Sequence, residues 1–166
     1  MSELISIDQM PSVPEIDVPG QLYFLLRRPV LAGMRKPHPT WLRTYWQSLH
    51  DAGLRGVVCL SSETPSYCPR PLRIVHASKL EDLAHGGFPR HPGDELRKIE
   101  KAVSCVLERL DAGEGVVVHC VGGRGRTGTV LGCVLRERGV SAKDIIDHLD
   151  TLHKKRGRSG WPESSW

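Results

Sequence analysis

Val118-His119-Cys120-Val121-Gly122-Gly123-Arg124-Gly125-Arg126-Thr127-Gly128-Thr129 decides how this chain is read. Just before it, Gly115 to His119 is a continuous apolar run that suits a buried strand. Just after it, Val130, Leu131, Val134 and Leu135 carry a helical repeat that stops at Gly139. A strand therefore delivers Cys120 to a turn, and a helix leaves it. Glycines at 122, 123 and 125 let the turn curl tightly and point its N–H groups inward. Amides ringed beneath a helix N-terminus bind a phosphate dianion, so residues 121–126 are the candidate cradle. Arg126 can grip two phosphate oxygens in a bidentate fork. The same field acts on Cys120, because helix N-termini and nearby cations lower a thiol from a pKa of ~8.5 to roughly 3.5–7.5. Thr127 is placed to hydrogen-bond the sulfur and help it leave. The run has no Gly-Lys-Ser/Thr, which argues against a nucleotide-binding P-loop.

Working outward, strands alternate with helices, which predicts an α/β fold with a mostly parallel sheet flanked by helices. Leu22 to Leu31 reads as a strand region interrupted by Pro29. Thr40 is the expected N-cap of a helix with Trp41, Leu42, Tyr45, Trp46 and Leu49 on one face and Gly53 at its end. Gly56–Leu60 and Leu72–His76 read as strands, and residues 77–94 as loop. Leu96, Ile99, Val103, Val106, Leu107 and Leu110 define a long helix ended by Gly113. Ser141 caps a last helix whose expected buried face is Ile145, Ile146, Leu149 and Leu152. Residues 1–20 read as an N-terminal extended arm, and 21–166 as one domain. A chain of 166 residues leaves little room for a second.

With 39% hydrophobic and 25% charged residues the chain is an ordinary globular one, so no long stretch reads as disordered. A net charge of +4, with no long basic run, gives no reason to expect nucleic acid as a partner. Its densest basic spots are Arg27–Arg28, Arg35–Lys36 and Lys154–Arg156 with Arg158. The five cysteines follow no zinc spacing. The N-terminus lacks signal-peptide character, and no apolar run reaches the ~20 residues of a membrane span. The expected setting is a reducing cytoplasm with free thiols.

His119-Cys120, five residues, then Arg126-Thr127-Gly128 resembles the signature of the protein tyrosine phosphatase superfamily. The order of elements over residues ~22–155 is similar to its dual-specificity branch, including the cyclin-dependent-kinase-associated type. Low-molecular-weight phosphatases and arsenate reductases share the Cys-to-Arg spacing, but usually carry it near the N-terminus. The resemblance implies a phosphatase with a phospho-cysteine intermediate on Cys120, no metal or other cofactor, and a phosphorylated protein as partner. It also implies an upstream acid on a loop. Leu80-Glu81-Asp82 is similar to the family's Pro-Ile-x-Asp, with Lys79 at the proline position, so Asp82 is the first choice. Ala84-His85-Gly86-Gly87-Phe88-Pro89 resembles the turn after that Asp, which makes His85 an alternative acid. Glu81 and Asp94 are further alternatives.

Arg124 lies inside the loop, where phosphoinositide phosphatases often carry basic residues, so a phosphoinositide or other polyanionic substrate is an alternative. A non-catalytic phosphate-binding module is another. Cys59, in Val57-Val58-Cys59-Leu60-Ser61-Ser62-Glu63, resembles a strand cysteine that in related enzymes forms a reversible disulfide with the nucleophile. Cys133 reads as packing. The tail from Trp161 to Trp166 resembles a segment that in relatives precedes a water-positioning glutamine.

Overall fold

Residues 22–34 are a hairpin where one interrupted strand was expected. The first strand, β1 (Leu22–Arg27), turns at Arg28–Pro29 into β2 (Val30–Met34), which runs antiparallel to it. Pro29 has no N–H to give a ladder, so it falls at the turn. The computed structural model describes residues 3–13 and 22–166. Three further strands follow: β3 (Leu54–Cys59), β4 (Arg73–Ala77) and β5 (Gly115–His119). The sheet order is β1-β2-β5-β3-β4, and every pairing after the hairpin is parallel. The α/β architecture expected from the alternation is therefore present, with β5 at the centre.

Helices cover both faces. On one lie α2 (Pro92–Asp111), α3 (Gly125–Glu137) and α4 (Ala142–Lys155), packed through Ile99, Val106, Leu131, Leu135 and Leu149 onto Leu31, Val58, Val116 and Val118. On the other, α1 (Arg43–Asp51) packs Trp46 and Leu49 onto Val57 and Val117. Val117 faces one way and its neighbours Val116 and Val118 the other, the two-residue period of a strand buried on both sides.

Several boundaries differ from the sequence reading. Thr40 does not cap α1. Its amide is turned onto His38 Nδ1 at 3.2 Å, and the helix starts at Arg43 with Leu42 as N-cap. Leu42, Leu96 and Ile146 are exposed, 61%, 50% and 43%, so each lies off the face assigned to it. α2 also begins inside the segment read as loop, with Pro92 in its first turn, where a missing N–H does no harm. Ser141 does cap α4, its hydroxyl accepting from Asp144 N at 3.1 Å.

Part of the arm packs against the domain. Ile5 N donates to Leu25 O at 2.9 Å, and Ile5 and Val13 are buried. The rest of the arm, residues 1–2 and 14–20, lies outside the described residues.

Candidate active site

β5 ends at His119, and Cys120 follows it, 2% exposed at the base of a loop that leads into α3. Three successive carbonyls of this loop are tied outward. Val121 O accepts from Lys36 N at 3.0 Å, Gly122 O from the Arg158 guanidinium, and Gly123 O from the Tyr23 hydroxyl at 2.6 Å. A peptide whose carbonyl points out turns its N–H the other way, so the amides of this stretch are directed inward. Among the described residues, the N–H groups of 121–124 are bonded to no protein acceptor. No side chain caps the first turn of α3 either, so its amides are open on the same side. Gly123 makes this geometry possible. Its φ is +73°, and a Cβ there would overlap the Met34–Arg35 peptide.

In its neutral form His119 has a fixed tautomer in this arrangement. Its Nδ1 lies 3.1 Å from Cys120 O, a carbonyl that can only accept, so Nδ1 carries the proton. Nε2, 2.5 Å from the Tyr67 hydroxyl, then accepts from it. Tyr67 in turn stacks on Trp46 with centroids 5.6 Å apart. The pair thus holds the backbone at Cys120 from beneath. Burial, then the nearby Cys59, raise the Tyr67 phenol, which keeps it protonated as a donor.

Arg126, on the first turn of α3, is turned toward the loop that carries the candidate acid. Its Nη1 donates to Leu80 O at 3.3 Å, and its Nη2 lies 3.7 Å from Asp82 Oδ2. Leu80 is buried and its N–H donates to Leu60 O at 3.0 Å, which anchors this loop to the end of β3. Asp82 Oδ1 accepts from Ala84 N at 3.0 Å. The other candidate acids are placed differently. Glu81 accepts from Arg90 N at 2.9 Å, Asp94 pairs with Arg97, and His85 is exposed at the loop tip.

Two expectations at the loop, for Thr127 and Arg124, meet a different geometry. Thr127 Oγ1 does not bond the Cys120 sulfur; it is buried without a hydrogen-bond partner among the described residues. α3 already starts at Gly125, so Thr127 falls on the buried side of its first turn. Arg124 is turned away from the mouth. It pairs with Glu163 at 2.7 Å and donates to Gly160 O at 2.5 Å, with both charged side chains largely buried. Cys59 ends β3 beside His119, its register partner on β5. Burial pushes its thiol up, but His119 in its charged form, together with Ser61, outweighs that and brings it down to about 7. All five cysteines are free thiols, and Cys133 is exposed on α3 rather than packed.

Tyr23, Lys36, Tyr67, Arg158 and Glu163 shape the loop, and no local motif points to them. They come from β1, from the segments after β2 and β3, and from the chain's last ten residues. Among the described residues no group of His, Cys, Asp and Glu could hold a metal ion. No helix among them is long and apolar enough to cross a membrane.

Known proteins share this fold. The fold is similar to that of Tk-PTP in its active form, at 23% identity over 80% of this chain and 84% of that one, with a TM-score of 0.56. It is also similar to kinase associated phosphatase (KAP), at 16% identity over 84% and 87% with a TM-score of 0.58. TpbA of P. aeruginosa matches at 17% identity over 90% and 81%, with a TM-score of 0.55. In sequence the chain is 25% identical over 139 residues to 067L of Invertebrate iridescent virus 3, described as a tyrosine phosphatase. That match takes in 81% of this chain and about half, 53%, of the viral protein. The family described as the DSP-PTPase phosphatase of polymorphic toxin systems matches residues 32–140, which hold β5, the Cys120 loop and α3, and the chain belongs to that family.

Proposed function

We propose that this phosphatase is a phosphotyrosine or dual-specificity protein phosphatase acting through a phospho-cysteine on Cys120. The observation that carries the proposal is the row of carbonyls at 121, 122 and 123, each tied outward. This leaves the intervening amides and the α3 N-terminus facing the space beside Cys120. Val121 to Arg126 then hold the three non-bridging oxygens of a phosphate ester.

The Cys120 thiolate attacks phosphorus in line with the ester oxygen. The S–P bond forms as the P–O bond breaks, and Asp82 gives its proton to the leaving oxygen. Arg126 moves from its contacts with Leu80 O and Asp82 onto two phosphate oxygens, where its planar fork matches the charge that builds there. Water then attacks phosphorus and returns its proton to Asp82. The S–P bond breaks and releases phosphate and the thiolate.

The 3.7 Å approach of Asp82 to Arg126 supports a catalytic reading over a binding-only module, because it brings a carboxyl to the cradle. The Arg124–Glu163 pair supports a phosphoprotein over a phosphoinositide read through Arg124, because that cation already has its anion. The test is hydrolysis of p-nitrophenyl phosphate in EDTA, wild type beside Cys120→Ser. Turnover in the first and none in the second is expected. Equal turnover in both, or none by folded wild type, refutes the proposal.

A further inference from the structure

Asp82 follows two peptide units that are each held at both polar ends. In the first, Leu80 N–H donates to Leu60 O at 3.0 Å, and Lys79 O accepts from Lys98 Nζ at 3.1 Å. In the second, Leu80 O accepts from Arg126 Nη1 at 3.3 Å, and Glu81 N–H donates to Glu95 Oε1 at 3.0 Å. One partner in each unit belongs to the centre of the fold: Leu60 follows β3, and Arg126 stands on α3. The other comes from α2, where Glu95 and Lys98 are three residues apart and so share a face. The next residue is Asp82, whose carboxylate lies 3.7 Å from Arg126.

Glu95 is a buried acid that the mechanism leaves unused. It is 7% exposed on the first turn of α2, and its carboxylate is turned onto a main-chain amide. Burying a carboxylate is costly unless its oxygens are hydrogen-bonded, so the Glu81 amide is what makes this position tolerable. Past Asp82 the loop runs exposed from Ala84 to Phe88, so the nearer fixed point lies before the carboxylate. Glu95, Lys98, Leu80, Glu81 and Arg126 also line one cavity, which gives a released loop room to shift.

We infer that Glu95 and Lys98 are positioning residues for proton transfer: from α2 they clamp the two peptide units before Asp82 and so fix its carboxyl beside the leaving oxygen. This rests on the reading of Asp82 as the acid. The clamp acts through the main chain of 79–81, not on the phosphate. A donor misplaced by about 1 Å can cost up to about 10²-fold. Release of the clamp should therefore slow the step that uses the proton and spare the attack of Cys120 on an ester whose leaving group needs none.

The experiment compares kcat on phenyl phosphate and on p-nitrophenyl phosphate. Glu95→Ala is expected to lose about tenfold on the first ester and less than about twofold on the second. Glu95→Gln keeps an oxygen for the Glu81 amide and should restore the phenyl phosphate rate to within about twofold of wild type. Lys98→Met changes a half-buried side chain, so it tests the clamp even if Glu95→Ala does not fold; it should show the same split at about threefold. In an Asp82→Asn background, Glu95→Ala should cost nothing more on phenyl phosphate, because both act through one proton. Equal losses on the two esters overturn the clamp, as does a further loss in that background. A split in Asp82→Asn with none in Glu95→Ala or Lys98→Met overturns the clamp alone. No split in Asp82→Asn overturns the acid assignment and the clamp with it, so the two failures are distinguishable.

Discussion

Asp82 and Arg126 meet across the mouth of the cradle, and each determines what the other can do. The guanidinium lies 3.7 Å from the carboxylate and also holds Leu80 O. On the proposed mechanism a phosphate dianion competes for the same cation, and Asp82 serves the leaving group. Asp82→Asn is expected to lower kcat by about 10²–10⁴-fold with phenyl phosphate, whose leaving oxygen needs a proton. The loss should be far smaller with p-nitrophenyl phosphate, whose leaving group departs as the anion. Steady-state kinetics with the two esters measures the contrast. An equal loss on both would mean that Asp82 positions Arg126 rather than donating a proton. His85, exposed at the tip of the same loop, should be replaceable by Gln without this split.

The tail after α4 acts at the scale of elements, as a strap over the site. Trp161 N is held by Asp150 at 3.0 Å, and the indole lies where a Cβ on Gly128 would sit. Glu163 reaches Arg124 at the start of α3, and its carboxylate occupies the space beside Gly125. Ser164 Oγ donates to Gly87 O at 2.9 Å, so the same strap touches the acid loop. Glu163→Gln leaves the largely buried guanidinium of Arg124 without its anion. It should lower the free energy of unfolding by about 1–3 kcal/mol in urea titrations. Arg124→Gln combined with it should lose less than the sum of the two single changes, because the second removes a charge already stranded. Additive losses would show that the pair is not coupled. Sequence reading reached this strap only as a tail that resembles a segment preceding a water-positioning glutamine. Its glycine neighbours, 125 and 128, were legible as turn and signature residues, but not as seats for Glu163 and Trp161.

At the scale of the whole molecule, buried histidines tie stability to pH. His153 on α4 is 0% exposed, packs edge-on to Tyr23 at 5.3 Å, and has no partner for either ring nitrogen among the described residues. Burial first, then Arg158, Arg124 and Arg156, bring it down from 6.5 to about 4. Its folded value lies below its unfolded one, so the unfolded chain takes up the proton first as pH falls. Stability from this group is complete above about pH 6.5 and is lost progressively down to about pH 4. The difference of about 2.5 units corresponds to roughly 3 kcal/mol. His153→Phe keeps the aromatic contact and cannot charge. Its Tm should therefore fall less than that of wild type between pH 6.5 and 4.5, as calorimetry at matched ionic strength would read. Parallel falls in the two proteins would assign the pH dependence to other groups, such as His148 and His76, which burial also lowers. By itself the sequence determined the α/β alternation, the strand–loop–helix around Cys120 and the placing of Arg126 on the first turn of the helix, because each is set by neighbours within a dozen residues. Only the tertiary structure decided that Pro29 makes a hairpin, that Thr127 turns inward and that Arg124 belongs to Glu163. It alone brought Tyr23, Lys36 and Arg158 to the loop's carbonyls. Those contacts join residues 36 to 100 positions apart in the chain, and packing alone selects such partners.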